Sequence, residues 1–492
     1  MSIRLSNDAL PRLGENVRVP QYRQADLSAG ILHFGIGNFH RAHQAVYLDD
    51  LFNTGADLDW GIVGAGVLPS DAAMREKLAE QDWLTTVVEQ DDGHIAARVT
   101  SPMIGYLPAG NGAAIVNALA DPAIRIVSLT ITEGGYFIDP GSGRFDPEHP
   151  AIAADATDIG NAKTVFGLIV AGLMRRRAEG TTPFTVMSCD NIPGNGHVTE
   201  NAVRGLAALF DAELADWIGE NVAFPNSMVD RITPATTDRE RAILCETFGI
   251  EDNWPVFCEP FRQWVMEDTF TAGRPALEKV GVTFVDDVAP YELMKIRILN
   301  GGHAAIAYPA ALMDIEYVHE AMAEPLIRDF LAKLEHEEII TVVPPVPDTD
   351  LAAYFAKVEE RFSNPKIGDT VARLCLDGSN RQPKFILPST ADRLRGGKDV
   401  TGLALVSAFW CRYCAGTSDS GRVIPPNDAS AERLKEAALK AKRDPDAFLA
   451  LSDIFGEVGR SPVFRTAFSR MLEAVWREGA RTTLTKYLSG AL

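Results

Sequence analysis

The stretch "ILHFGIGNFHRAH", Ile31 to His43, decides the fold. A strand pattern runs into Gly35 and Gly37, and an amphipathic segment follows at once. Glycines at such a turn let backbone amides approach a pyrophosphate, which then rests on a helix N-terminus where the dipole favours negative charge. Gly35 and Gly37 supply the first two glycines of a dinucleotide fingerprint, and His40 stands at the third position. A bare GxG also fits an ordinary tight turn. Its context favours a cofactor turn made of Gly35, Ile36, Gly37, Asn38 and Phe39, because it closes the first strand of an alternating region.

That alternation continues through the first half. "GILHFGIG", "WGIVGAG", "IRIVSLTIT" and "PFTVMSC" are short β-rich runs, each followed by a helix-compatible stretch, which predicts a mostly parallel sheet covered by helices. From about residue 288 the patterns turn helical, as in "EPLIRDFLAKLEHEEII" and "SPVFRTAFSRMLEAVWREG". The expected organisation is α/β: a Rossmann-like, mostly parallel sheet domain with insertions over 1–286, then a predominantly α-helical substrate and catalytic domain over 287–492.

The fingerprint also asks for an acid at the end of the second strand, to bind the adenosine ribose. The second strand is "WGIVGAG", and the first acid beyond it is Asp71. The interval from the glycines exceeds the usual spacing of about 20 residues, so an insertion is expected between the two strands. Asp71 could equally cap the helix that starts at "SDAAMREKL".

A chain of 492 residues suits two large domains. Its formal charge of −20 repels phosphate backbones and anionic lipid, which sets aside nucleic acid and membrane surfaces as partners. The one basic triplet, Arg175 to Arg177, follows "VFGLIVAGLM" and reads as the cationic end of a helix. Six cysteines without regular spacing read as reduced thiols. "CRYC", Cys411 to Cys414, lacks the second pair that a metal site needs, so no metal is expected. With neither a signal-peptide pattern nor a membrane-length apolar run, the expected location is cytoplasmic.

A second stretch, "MKIRILNGGHAAIAY" from Met294 to Tyr308, raises the chemical question. Lys295, Asn300 and His303 are costly to bury unless paired. On an ideal helix of about 100° per residue, Glu292, Lys295, His303 and Asn300 fall at roughly 60°, 0°, 80° and 140°, an arc shared with Ile296 and Leu299. Gly301 and Gly302 each cost about 1 kcal/mol relative to Ala in a helix, a cost that makes sense if a ligand must approach that backbone. An interdomain hydrogen-bond network could use the same residue types.

"GIGNFHRAH", "ITEGGYF", "TVMSCDN", "FPNSMVDRITP", "EPFRQWVMED", "MKIRILNGGH" and "DGSNRQPKF" follow one another along most of the chain. Together they resemble the long-chain polyol dehydrogenases of the mannitol 2-dehydrogenase family. The resemblance implies a zinc-independent, NAD-dependent oxidoreductase that interconverts a sugar alcohol and a ketose, with D-mannitol and D-fructose as the first expectation. A hexuronate reductase acting on fructuronate or tagaturonate is the alternative within the same superfamily, and a catalytically silent NAD-binding sensor is the alternative outside it.

The same resemblance implies that Lys295 is the general base, drawing the proton from the substrate hydroxyl while a hydride leaves for the nicotinamide. Asn191 and Asn300 match the family's pair of donors to the developing alkoxide. His303 matches its substrate-positioning histidine. Glu292 matches an acid that relays the proton to solvent, although an acid in a first helical turn is also favourable to the dipole. Asp230, Arg373 and Arg381 match hydroxyl-binding positions.

Two positions depart from the pattern, Arg381 where lysine is usual and Arg262 where valine is common. A guanidinium can fork onto a carboxylate as a lysine cannot. Arg262 could instead pair with Glu259 or Asp268. Asn191 and Lys295 fall on either side of the expected boundary, which places the expected active site in the cleft between domains. The implied partner is a small polyol or ketose, and no oligomeric state is specified.

Overall fold

The computed structural model describes residues 2–139 and 144–492. The chain divides after Ala289 into two compact units.

The first unit is built on five strands: β1 (Ala29–Phe34), β2 (Gly61–Ala65), β3 (Met103–Tyr106), β4 (Ile126–Leu129) and β5 (Thr185–Ser188). They lie in the order 3-2-1-4-5, and every neighbouring pair is parallel. Strand order reverses between β1 and β4, the switch point at which open α/β sheets bind ligands. Both faces of the sheet are buried. Leu32, Phe34, Val127, Leu129 and Val186 enter one core, while Ile31, Ile62, Ile126 and Met187 enter another. Burial on both sides explains why these strands read as near-continuous apolar runs.

The crossover from β1 to β2 holds two helices, α1 (Asn38–Ala42) and α2 (Gln44–Phe52), separated at His43. α3 (Pro69–Ala79) follows β2, and α4 (Val165–Glu179) precedes β5. α4 ends in the expected arginine triplet, but its middle member does more than complement the dipole. Arg176 is buried and donates to the carbonyl oxygens of Leu119, Asp121, Ile124 and Thr182, so it closes the ends of the elements around it. Smaller sheets flank this core. Ser227–Asp230 pairs antiparallel with Gln263–Glu267, and Thr85–Gln90 lies between Val256–Cys258 and Ile95–Thr100.

The second unit is helical. The helix Ala289–Met294 passes through a π-helical turn, Lys295–Asn300, into α5 (Gly301–Leu312). Two more π turns, Glu335–Ile339 and Gln382–Ile386, pack against Lys295–Asn300. α6 (Leu351–Phe362) lies between them in sequence, and α7 (Thr401–Cys414) packs on α5 and on α8 (Pro462–Leu488). "CRYC" forms the end of the buried α7, where burial pushes the Cys411 thiol well above its usual range. Among the described residues, no group of His, Cys, Asp and Glu is placed to hold a metal ion, and no helix is long and apolar enough to cross a membrane.

Candidate functional site

At the carboxyl ends of β1, β2 and β4 the first unit opens a cavity of about 680 Å³. Gly35, Ile36 and Gly37 form one wall, Ser70 and Asp71 a second, and Thr130 to Thr132 a third. Gly35 has φ +94°, and a Cβ there would come within 2.0 Å of the Thr130 carbonyl oxygen. Only glycine fits, because the turn and the end of β4 must touch. Gly37 has no such crowding, and it is the N-cap of α1.

The two residues after the turn act differently from it. The Asn38 side chain donates to Pro234 O and Thr236 Oγ1, both at 3.2 Å, and accepts from Arg41 at 2.8 Å and Trp254 Nε1 at 3.2 Å. Its carboxamide therefore holds the fold together. Phe39 stacks on His43 with ring centroids 4.9 Å apart.

At the third fingerprint position, His40 is buried against β1 and stacks on His33 at 3.6 Å. Burial pushes the His33 pKa down to about 3 and that of His40 well below its usual value, so both rings are neutral.

Asp71 both closes the first turn of α3 and faces the cavity. It sits at the third residue of α3 rather than at the cap itself, and its Oδ2 accepts the Leu68 N–H at 2.8 Å. It also lines the cavity. A carboxylate offers about four lone-pair directions, so capping leaves capacity for a ribose.

Asn191 lies just beyond β5 and is exposed. Asp230 ends its strand, is buried, and pairs in register with Gln263.

In the second unit Lys295 is buried on the π turn, and Glu292, Asn300 and His303 are partly buried along the same helical run. The ideal-helix angles do not hold here, since a π turn is wider than an α turn. The His303 ring stacks on Phe362 at 4.1 Å, and its Nε2 is buried without a partner. Burial first, and then the charges of Arg373, Arg361 and Arg381, push its pKa well below the usual value. The structure thus brings His303, Arg373 and Arg381 into one neighbourhood. Arg373 forks onto Asp369 with both contacts at 2.5 Å, and Arg381 donates to Leu374 O at 2.7 Å.

Residues 29–279 match the mannitol dehydrogenase Rossmann domain, and residues 287–476 match the mannitol dehydrogenase C-terminal domain. The chain belongs to the mannitol dehydrogenase family. It is 59% identical to mannitol 2-dehydrogenase of Cereibacter sphaeroides over 475 residues, covering 96% of this chain and 99% of that one. Among solved structures it is similar to Pseudomonas fluorescens mannitol 2-dehydrogenase in ternary complex with NAD and D-mannitol. The identity there is 44% and the TM-score 0.89, with 99% of this chain and 100% of the other covered. It is also similar to D-sorbitol dehydrogenase in substrate-free form, at 34% identity and TM-score 0.90, with 98% and 100% covered.

Two expectations for this mannitol dehydrogenase family member are corrected by its contacts. Arg262 pairs with neither Glu259 nor Asp268. It donates to Asp50 at 2.6 Å and lies over the Tyr47 ring at 4.3 Å, while Asp268 is taken by Arg274 and Glu259 accepts from Ile232 N. The glycines of α5 do not make room for a ligand. Cβ atoms there would meet Phe385 O and Ile339 beside Gly301, and Phe362, Glu335 and Leu331 beside Gly302, all at ordinary contact distances of 3.4 Å or more.

Sequence reasoning also passed over Thr130, Thr132 and Asp190. Their signal was present, since "ITEGGYF" and "TVMSCDN" fall at the carboxyl ends of β4 and β5, where ligands of such sheets bind.

Proposed function

We propose that this chain is an NAD-dependent, zinc-independent polyol dehydrogenase interconverting a sugar alcohol and its ketose, with D-mannitol and D-fructose as the pair. The cavity suits a dinucleotide because it lies at the switch point of the sheet, beside the glycine turn, with Asp71 at the second strand's end. Bound there, NAD would accept a hydride from the carbinol carbon. Lys295 takes the hydroxyl proton as general base. Asn300 and Asn191 donate hydrogen bonds to the oxygen as it gains negative charge. Glu292, within one helical turn of Lys295, passes the proton to solvent. His303, Asp230, Arg373 and Arg381 hold the remaining hydroxyls.

One observation carries the choice of a polyol over a hexuronate. Arg373 and Arg262 already have the carboxylate partners Asp369 and Asp50, and one arm of Arg381 is held by a carbonyl, while His303 Nε2 is buried and unpaired. At Arg373 or Arg262 a uronate would have to displace a carboxylate to gain a fork. A hydroxyl satisfies His303 in either tautomer, since it both donates and accepts.

The test is steady-state reduction of fructose and of fructuronate with NADH by the unaltered chain and by Lys295→Ala. Fructose should give the higher kcat/KM. Lys295→Ala should lower kcat by at least about a thousandfold with NADH affinity held within a few-fold. A fructuronate preference of about a hundredfold would overturn the polyol reading. Retention by Lys295→Ala of more than about a tenth of the activity would remove Lys295 as the base.

A further inference from the structure

We propose that Asp190 is a positioning residue whose carboxylate holds the strained Thr130–Thr132 wall of the cofactor cavity while its backbone fixes the place of Asn191. The inference rests on the NAD reading above and extends it to a residue that stands behind the cavity's lining.

Thr132 has φ 64° and ψ 164°. Only glycine enters that region freely, and a β-branched residue stays there only where its surroundings over-determine it. Asp190 supplies that constraint from one side. Its buried carboxylate accepts the N–H of Ile131 at 2.9 Å, the N–H of Thr132 at 2.8 Å and the Tyr136 hydroxyl at 2.7 Å. Burial raises the carboxyl pKa, and those three donors pull it part of the way back. From the other side, Thr130 Oγ1 donates to Gly35 O at 2.6 Å and lies 2.9 Å from His33 Nε2. The wall is clamped between the glycine turn and Asp190.

The backbone of Asp190 is equally committed. Its N–H donates to Ser188 Oγ at 3.2 Å, and its carbonyl accepts from Ile192 N at 2.9 Å and from Asn195 Nδ2 at 3.0 Å. Asn191 is the next residue. One residue thus touches both the wall of the cofactor cavity, through its carboxylate, and the asparagine proposed as an oxyanion donor, through its backbone.

A merely structural hub would lower stability without a pattern in function, so the test is a rescue on the full chain. NADH binding is titrated by fluorescence, and kcat is measured with fructose. Asp190→Asn keeps the shape but leaves one acceptor oxygen for two N–H groups. NADH Kd should rise about tenfold and kcat should fall at least about tenfold. Adding Thr132→Gly should return NADH Kd to within about threefold of the unaltered chain, because glycine adopts the conformation without restraint. In that double variant kcat should recover with NADH binding, since the backbone bonds of residue 190 that fix Asn191 do not depend on its side chain.

Unchanged NADH binding in Asp190→Asn, or no recovery with Thr132→Gly, overturns the proposal. If Asp190→Asn does not fold, Tyr136→Phe removes one donor to the same carboxylate and should weaken NADH about threefold, and unchanged binding there overturns the proposal as well. Failure of the unaltered chain to bind NADH would overturn the cofactor reading itself.

Discussion

Both carboxyl oxygens of Glu335 are buried without a hydrogen-bond partner, packed beside Gly302 at the start of a π turn. Burial, and then the charge of Glu359, raises its pKa well above the usual 4.5. The folded chain therefore keeps a proton that the unfolded chain releases. Stability from this group is fully present below the unfolded pKa and is lost as pH rises toward the raised folded value. Glu335→Leu should raise Tm, and the gain should be at least about 3 °C larger at pH 8 than at pH 4.5, the scale of about 1 kcal/mol in a unit of this size. Equal gains at the two pH values in thermal melts would show that Glu335 is not held protonated. The sequence gives no hint of this. "KLEHEEII" holds three glutamates, and only the packing shows that Glu335 and Glu338 are buried while Glu337 is exposed.

Among the elements, α3 is the one whose start serves two purposes. Asp71 closes its first turn and lines the cavity, so Asp71→Ala should separate the two effects. Loss of the cap should cost about 1 kcal/mol of stability. Loss of the ribose contact should reduce the ratio of kcat/KM for NAD to that for NADP by about tenfold, since a carboxylate repels a 2′-phosphate. A fall in Tm with an unchanged cofactor ratio would leave Asp71 as a helix cap alone. The strands β1, β2, β4 and β5 were legible because each is a local run of apolar residues. The π turn at Lys295–Asn300 was not legible, because widening a helix by one residue per turn leaves composition and rough periodicity intact.

At the scale of the molecule, four histidines are held neutral by burial: His33, His40 and His43 in the first unit and His303 in the second. Unfolding releases rings that take up protons near pH 6.5. The folded chain refuses those protons until far lower pH, about 3 for His33 and His43. Stability should therefore decline as pH falls below about 6.5, a trend opposite to that of Glu335 and carried by more groups. Urea denaturation at pH 5.0 should give a stability lower than at pH 7.5 by about 2 kcal/mol or more. A flat profile over that window would mean that the rings ionise inside the fold.

The sequence by itself determined the α/β class, the glycine turn after the first strand and the change to helices near residue 288, because each depends on residues adjacent in the chain. A positive φ at Gly35 is a demand on one residue, and an apolar run is buried wherever the sheet forms. Pairings were decided only by the tertiary structure. Arg262 meets Asp50, a residue 212 positions away, and Asp190 meets Thr132 at the far side of a strand crossover. Such partners are chosen by the packing of whole elements, which neither periodicity nor spacing encodes.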